Sequence, residues 1–391
     1  MKKSMILAAV AALALAACTK VETYQNTTDE NVISFGVYTG RSADTKATYG
    51  EITSVSDLQS SADGFGVFAY YTKENNWAST DKPDFMYNQQ VVYNASADAA
   101  KYPSKWQYSP LKYWPNGQNS TEYTAAATSA DKLSFFAYAP YSAVSGTPTE
   151  GITALSANNA AGAPTVTFTV PAAHNQQIDL LYATPIKDQT KQALSGRVAF
   201  AFHHALMQIN FKVQAVVDAA APTTSALGSE TKIILTDLKI ESTLATTGKL
   251  NLNDGTWSNT SGTSTIDYNA SDFTTTTVTV GSTDYVGFNV TETATAVGGN
   301  SNMVIPGTVA AGDYKVVATY YVITTDSKLE NGASVVQNVI SKVSTASTTF
   351  DAGKKYTILV KLGLNSVDFN VTSVDTWTAA DGTPIDLPLN S

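Results

Sequence analysis

The chain has 391 residues, 43% of them hydrophobic and only 15% charged, and its 24 Lys+Arg against 33 Asp+Glu leave a net charge of -9. An acidic chain without basic runs is a poor nucleic-acid binder, because neutralising phosphates takes clustered Lys and Arg, so no nucleic-acid partner is expected. The apolar fraction excludes a disordered chain, and polarity carried by Ser, Thr, Asn and Gly excludes a long coiled coil, leaving a β-rich protein of two or three domains.

At the N-terminus Lys2 and Lys3 precede an apolar run over residues 5–17 that stops at Cys18. A basic start, an apolar stretch of that length and small residues at its end read as a signal peptide over residues 1–17. It is too short to span a membrane, which takes about 20 apolar residues. Leu15-Ala16-Ala17-Cys18 resembles a bacterial lipobox, in which the cysteine is lipidated and becomes the mature N-terminus; the alternative is an ordinary signal peptide with an incidental cysteine. Cys18 is the chain's single cysteine, so an intramolecular disulfide and a Cys-based zinc site are both ruled out.

Next in order, Ile33, Phe35 and Val37 alternate with Ser34 and Gly36, the pattern of a strand with one buried face. A small, polar loop follows, Thr39-Gly40-Arg41-Ser42-Ala43-Asp44-Thr45-Lys46, whose basic residues are Arg41 and Lys46. Residues 52–58 read as a helical turn. Gly64-Phe65-Gly66 lacks the third glycine and the helix of a dinucleotide site and reads as entry into a strand over 67–71. Strict alternation over 165–170 places Val166, Phe168 and Val170 on one face, and the same period recurs over 232–240, 274–280, 314–323 and 356–362. Asn253-Asp254-Gly255 is a hairpin-turn signal. Around residues 200–216 the apolar parity flips near Met207, as a bulge or bend requires. Polar residues at 185–196 mark a boundary between two domains, 47–188 and 189–391, after an N-terminal segment over 18–46. At 385–389, Ile385, Leu387 and Leu389 alternate with Asp386 and Pro388, repeating the three-tooth spacing of Ile33, Phe35 and Val37. The fold class is all-β, two antiparallel β-sandwich domains after a lipoprotein signal peptide.

Chemistry-bearing patterns are absent from the sequence. His174, His203 and His204 lie in no HExxH pattern, and adjacent His203 and His204 point to opposite faces of a strand. His204 reads as a structural residue beside Phe200 and Phe202. There is no GxSxG elbow or Walker loop. The 20 Tyr and 5 Trp suit either a sugar-stacking surface or sandwich cores. No catalysis, metal or cofactor is expected.

A series of segments in order carries a resemblance. It runs from the lipobox through Val32-Ile33-Ser34-Phe35, Gly64-Phe65-Gly66-Val67-Phe68-Ala69-Tyr70 and Trp106-Gln107-Tyr108-Ser109-Pro110-Leu111-Lys112-Tyr113-Trp114-Pro115. It continues through Leu133-Ser134-Phe135-Phe136-Ala137-Tyr138-Ala139-Pro140, Asp179-Leu180-Leu181-Tyr182-Ala183 and Phe202-His203-His204-Ala205-Leu206-Met207-Gln208-Ile209. Met303-Val304-Ile305-Pro306, Phe350-Asp351-Ala352-Gly353-Lys354-Lys355-Tyr356 and Trp377 complete it. Together they resemble the Bacteroidales fimbrillin family, the FimA/Mfa-like subunits of type V pili and related lipoproteins. The resemblance implies two transthyretin-like sandwiches, export as an outer-membrane lipoprotein precursor anchored through Cys18, and removal of the first strand (Ile33, Phe35, Val37) by an Arg- or Lys-specific protease. Arg41 is then the scissile residue, with Lys46 the alternative. The emptied groove would accept a strand from the next subunit, for which residues 384–391 with Ile385, Leu387 and Leu389 are the candidate donor; otherwise they complete their own domain. The implied partners are other pilin subunits, the processing protease and host or bacterial surface ligands, in a cell-surface fimbrium supporting adhesion; stalk, tip and anchor roles stay open. The alternative is a monomeric surface lipoprotein that binds carbohydrate or a host ligand.

Overall fold

The computed structural model describes residues 32–37, 51–99, 101–115, 131–173, 176–191, 193–194, 196–219, 226–269, 271–298 and 302–377. Among them the secondary structure is almost entirely strand; the α-helix is Val55–Ser60, a short element in the 52–58 region where a helical turn is expected. Ser54 caps it: Asp57 N–H donates to Ser54 Oγ (3.2 Å), while Ser54 N–H donates back to Asp57 Oδ2 (2.8 Å), a reciprocal capping box. No helix in the described residues is long and apolar enough to cross a membrane.

The first half is organised around a central antiparallel sheet. Its main path runs Phe202–His204, Leu181–Ala183, Lys132–Ala139, Phe65–Lys73, Met86–Tyr93 and Trp106–Gln107, with Ile186–Gln189 also beside Lys132–Ala139. The two middle strands are buried on both faces, which explains why Phe65–Lys73 and Lys132–Ala139 read as unbroken apolar runs rather than alternating ones. Phe65, Val67, Ala69, Leu133, Phe135 and Ala137 face one core. Phe68, Tyr70, Phe136 and Tyr138 face another.

The first core is closed by a parallel ribbon of Ser34–Val37 and Arg197–Phe200. The second is closed by a four-stranded sheet in the order Trp257–Ser261, Thr247–Asn251, Thr165–Thr169, Gly151–Leu155. Val166 and Phe168 are buried as their alternation requires. The hairpin around Asn253-Asp254-Gly255 therefore adds Thr247–Asn251 to Thr165–Thr169, pairing distant parts of the chain in antiparallel register.

The second sandwich packs two sheets over one core. One follows Thr295–Ala296, Met207–Ala215, Lys354–Leu362, Val367–Thr376, with Asn302–Val304 also on Met207–Ala215. The other follows Thr276–Val280, Thr283–Val290, Thr231–Ser242, Tyr314–Thr325, Ala333–Val343, with Ser264–Asn269 also on Thr231–Ser242. Phe211, Ile233, Leu238, Val316, Tyr320 and Ile358 fill the space between. Most pairing is antiparallel, but Met207–Ala215 runs parallel to Lys354–Leu362 over eight register pairs.

The parity flip near Met207 marks a change of sheet. Phe202–His204 belongs to the first sandwich and Met207–Ala215 to the second, joined by a bend at Ala205 and Leu206. The bend is held from both sides: Ala205 N–H donates to Leu180 O (2.8 Å), and Gly353 N–H donates to Leu206 O (2.8 Å). The chain thus passes between sandwiches here, and Arg197–Phe200 and Phe202–His204 both serve the first.

Phe136 is fully buried against Tyr70 and Trp77. Phe136→Ala is expected to cost about 3–5 kcal/mol in urea unfolding through the cavity it leaves. Val339→Ala, at a side chain 67% exposed, is expected to change stability by no more than about 0.5 kcal/mol.

Candidate functional site

The segment 32–37 is short, yet it is buried like an interior strand. Ile33 and Phe35 are fully buried and Val37 nearly so, as their alternation with Ser34 and Gly36 predicts. Phe35 is ringed by Tyr108, Phe200 and Phe135, at centroid distances of 5.1, 6.0 and 6.1 Å. Along one edge the strand pairs with Arg197–Phe200 in parallel register: Ser34 opposite Arg197, Phe35 opposite Val198, Gly36 opposite Ala199 and Val37 opposite Phe200. Ser34 N–H donates to Gly196 O at 3.2 Å on that side.

The other edge meets the loop around Tyr108 to Tyr113. Ile33 N–H donates to Lys112 O (2.9 Å), and Val32 forms an isolated bridge with Tyr113. The Tyr108 hydroxyl donates to Ile33 O at 2.7 Å, and Ser104 Oγ donates to Phe35 O. Burial pushes the Tyr108 phenol up, only partly offset by the Lys112 backbone N–H bonded to it, so it is a neutral donor at physiological pH. A handful of main-chain bonds and three apolar side chains therefore hold this strand in a groove built mainly by residues far along the chain.

Arg197 lies over the strand's outer side. A Cβ added at Gly36 would come within 2.7 Å of Arg197 Nε and Nη2, so the small residue lets the guanidinium lie close. Among the described residues no carboxylate lies within ion-pair distance of that guanidinium.

A second constellation joins residues 51 and 52 to the last described residue, Trp377. Trp377 is buried, and its indole stacks on His204 with centroids 4.1 Å apart and planes 5° from parallel. Its Nε1–H donates to Glu51 Oε1 at 2.8 Å. His204 Nδ1–H donates to Asp179 Oδ1 at 3.0 Å, and Asp179 Oδ2 accepts the Ile52 N–H at 2.9 Å. Lys355 Nζ approaches Glu51 Oε1 at 3.6 Å. Residues 51 and 52, where the described chain resumes after residue 37, are thereby bolted to the root of the C-terminal segment 378–391.

Of the residues singled out in the sequence, Ile33, Phe35 and Val37 come together in this groove. Cys18, Arg41, Lys46, Ile385, Leu387 and Leu389 lie outside the described residues, as does His174. His204 is buried and structural, but its partners are Asp179 and Trp377 as well as its apolar neighbours. His203 faces the other way, its Nε2 2.8 Å from Thr184 Oγ1. The functions of Tyr108, Arg197 and Glu51 are not evident from the sequence, although Tyr108, Asp179 and Trp377 each sit inside the segments that carry the family resemblance. Trp106, Trp114, Tyr70, Tyr138 and Tyr320 are buried, so these aromatics are core residues rather than a sugar-stacking surface. Among the described residues no three His, Cys, Asp or Glu side chains are grouped to hold a metal.

The described residues form an all-β chain of two sandwiches, with the strand Ser34–Val37 lodged in a groove built by residues far along the chain. The family described as fimbrillin-like matches residues 45–377, and the chain belongs to that family. It is similar to the fimbrium subunit Fim1C of Phocaeicola vulgatus, 31% identical over 408 residues and covering 97% of each chain. It is also similar to the crystal structure of a fimbrial protein from Bacteroides vulgatus, with a TM-score of 0.67 and 29% identity over 89% of this chain and 100% of that one.

Tyr108→Phe removes the donor to Ile33 O and leaves a buried carbonyl unpaired. It is expected to weaken retention of the first strand by about 1–3 kcal/mol. The measurement is the rate at which a fragment containing residues 32–37 dissociates after mild trypsin, and it should rise while core aromatic fluorescence is unchanged.

Proposed function

We propose that this chain is a structural subunit of a surface fimbrium supporting adhesion, exported as a lipoprotein precursor and joined to its neighbours by strand exchange. The observation that carries the reading is the burial of Ile33, Phe35 and Val37 in a groove lined by Tyr108, Phe135 and Phe200, immediately upstream of the basic residues Arg41 and Lys46. A cut after either residue breaks the covalent link between that strand and the body, which begins again at Glu51 and Ile52. The vacated groove then presents apolar side chains and unpaired main-chain groups, the two things an incoming strand satisfies: main-chain bonds supply affinity and alternate side chains fill pockets. Ile385, Leu387 and Leu389 have the spacing to fill it.

In this account Cys18 carries the lipid that holds the precursor at the outer membrane, and processing at Arg41, or at Lys46, frees the subunit for assembly. No step needs a cofactor or a catalytic group in the chain. The partners are other pilin subunits, the processing protease and the surface to which the fibre adheres.

Two outcomes test this. Mass spectrometry of assembled fibres is expected to show an N-terminus at Ser42, or at Ala47 if Lys46 is cut; lipidated Cys18 throughout the polymer would overturn removal of the strand. Deletion of residues 384–391 is expected to leave a folded, lipidated protein that no longer forms ladders on size exclusion after mild trypsin. Ladders from that truncation would sink the donor assignment.

A further inference from the structure

The groove and the candidate donor together specify which way the donor must run. In the resident strand the outward residue Ser34 sends its N–H to Gly196 O, on the Arg197–Phe200 side, whereas the inward residue Ile33 sends its N–H to Lys112 O, on the opposite side. Outward residues therefore address one edge and inward residues the other, and Gly36 repeats Ser34 because the strand period is two.

A donor with Ile385, Leu387 and Leu389 inward has Asp386 and Pro388 outward. Should it follow the direction of the resident strand, Leu387 takes the place of Phe35 and Pro388 that of Gly36. That placement is unfavourable for the backbone. Proline has no N–H to offer the Arg197–Phe200 edge.

Turning the donor end for end about the normal to the sheet keeps the same side chains inward but exchanges the edges their amides address. Leu387 again replaces Phe35, while Ile385 falls at Val37 and Leu389 at Ile33. The inward amides now face Arg197–Phe200. Pro388 falls at Ser34 with its nitrogen toward Lys112, whose carbonyl still accepts from the Tyr108 hydroxyl at 3.2 Å. Asp386 falls at Gly36, bringing a carboxylate to a guanidinium that has no acid partner among the described residues.

We infer that residues 385–389 of a second copy enter the groove antiparallel to Arg197–Phe200, opposite in direction to the strand they replace, and that Asp386 pairs with Arg197 across the subunit junction. The inference rests on the strand-exchange reading and adds to it the direction of the donor and a residue pair that fixes its register. Arg197 thus selects for a donor with an acid between its first two apolar teeth, and like charge at that position would suppress wrong register or wrong partners.

Cysteine pairs in a Cys18→Ser background separate the possibilities, with assembly started by mild trypsin. The antiparallel donor brings position 386 beside Ala199, so Ala199→Cys with Asp386→Cys is expected to give disulfide-linked ladders, and Ala199→Cys with Pro388→Cys is not. Ladders cross-linked through 388 instead would overturn the direction while leaving strand exchange intact. Polymers cross-linked by neither pair would overturn the strand-exchange reading itself. Arg197 is exposed, so Arg197→Glu is expected to leave the monomer's melting temperature unchanged and slow ladder formation by roughly tenfold. Asp386→Arg should do the same, and the double exchange should restore the rate to within about threefold of the starting protein. Absence of that rescue would overturn the ion pair.

Discussion

Phe35 sits between Tyr108, Phe135 and Phe200, and one face of the central sheet is closed in part by the short strand that carries it. The central sheet is apolar on both faces, so each face must be covered. One is covered by a sheet from the body of the chain. The other relies in part on the short segment 32–37, whose three inward residues are each worth roughly 1.5–3 kcal/mol when fully buried. Their combined contribution approaches the 5–15 kcal/mol that separates a typical folded domain from its unfolded state. Removing that contribution would leave apolar groove walls facing water, so on the proposed reading another strand of matching spacing must take its place.

This dependence explains which parts of the fold are legible in the sequence. Strands with one buried face, such as Thr165–Thr169 and Lys354–Leu362, alternate at period two because burial does. The strands of the central sheet do not alternate, and their continuous apolar runs record burial on both sides rather than a different secondary structure. The parity flip at Met207 records a change of sheet, since the side of the backbone that must be apolar changes when the chain leaves one core for another. Parallel pairing left no such trace. Nothing local to Ser34–Val37 or Met207–Ala215 indicates that their partners are Arg197–Phe200 and Lys354–Leu362, because register across more than a hundred residues is settled by packing of the finished sandwiches.

The site is legible in the same partial way. The three apolar teeth of the first strand are a one-dimensional pattern and can be read directly. The groove is assembled from Tyr108, Phe135, Arg197 and Phe200, residues that share no spacing. The same holds for His204: its neighbours in sequence are aromatic, but the groups that decide its setting are a carboxylate 25 positions upstream and an indole at 377. A buried histidine needs a hydrogen-bond partner, and the sequence around it does not say where that partner lies.

The bolt formed by Glu51, Trp377, His204, Asp179 and Ile52 bears on how the proposed strand exchange would proceed. While the link from Val37 to Glu51 is intact, a strand that slips from its groove stays tethered at one end, and its effective concentration is in the millimolar range expected of short linkers. A free donor from another subunit competes poorly against that. The proposed cut at Arg41 or Lys46 would abolish the tether without disturbing the groove, because the body is already held at residues 51 and 52 by Trp377 and Asp179. The same anchor fixes the point from which residues 378–391 depart. In the proposed mechanism, proteolysis would act on the competition rather than on the shape of the groove. On the proposed reading it would convert the resident strand from an intramolecular occupant into a dissociable one, which a donor of similar apolar spacing would then displace by mass action.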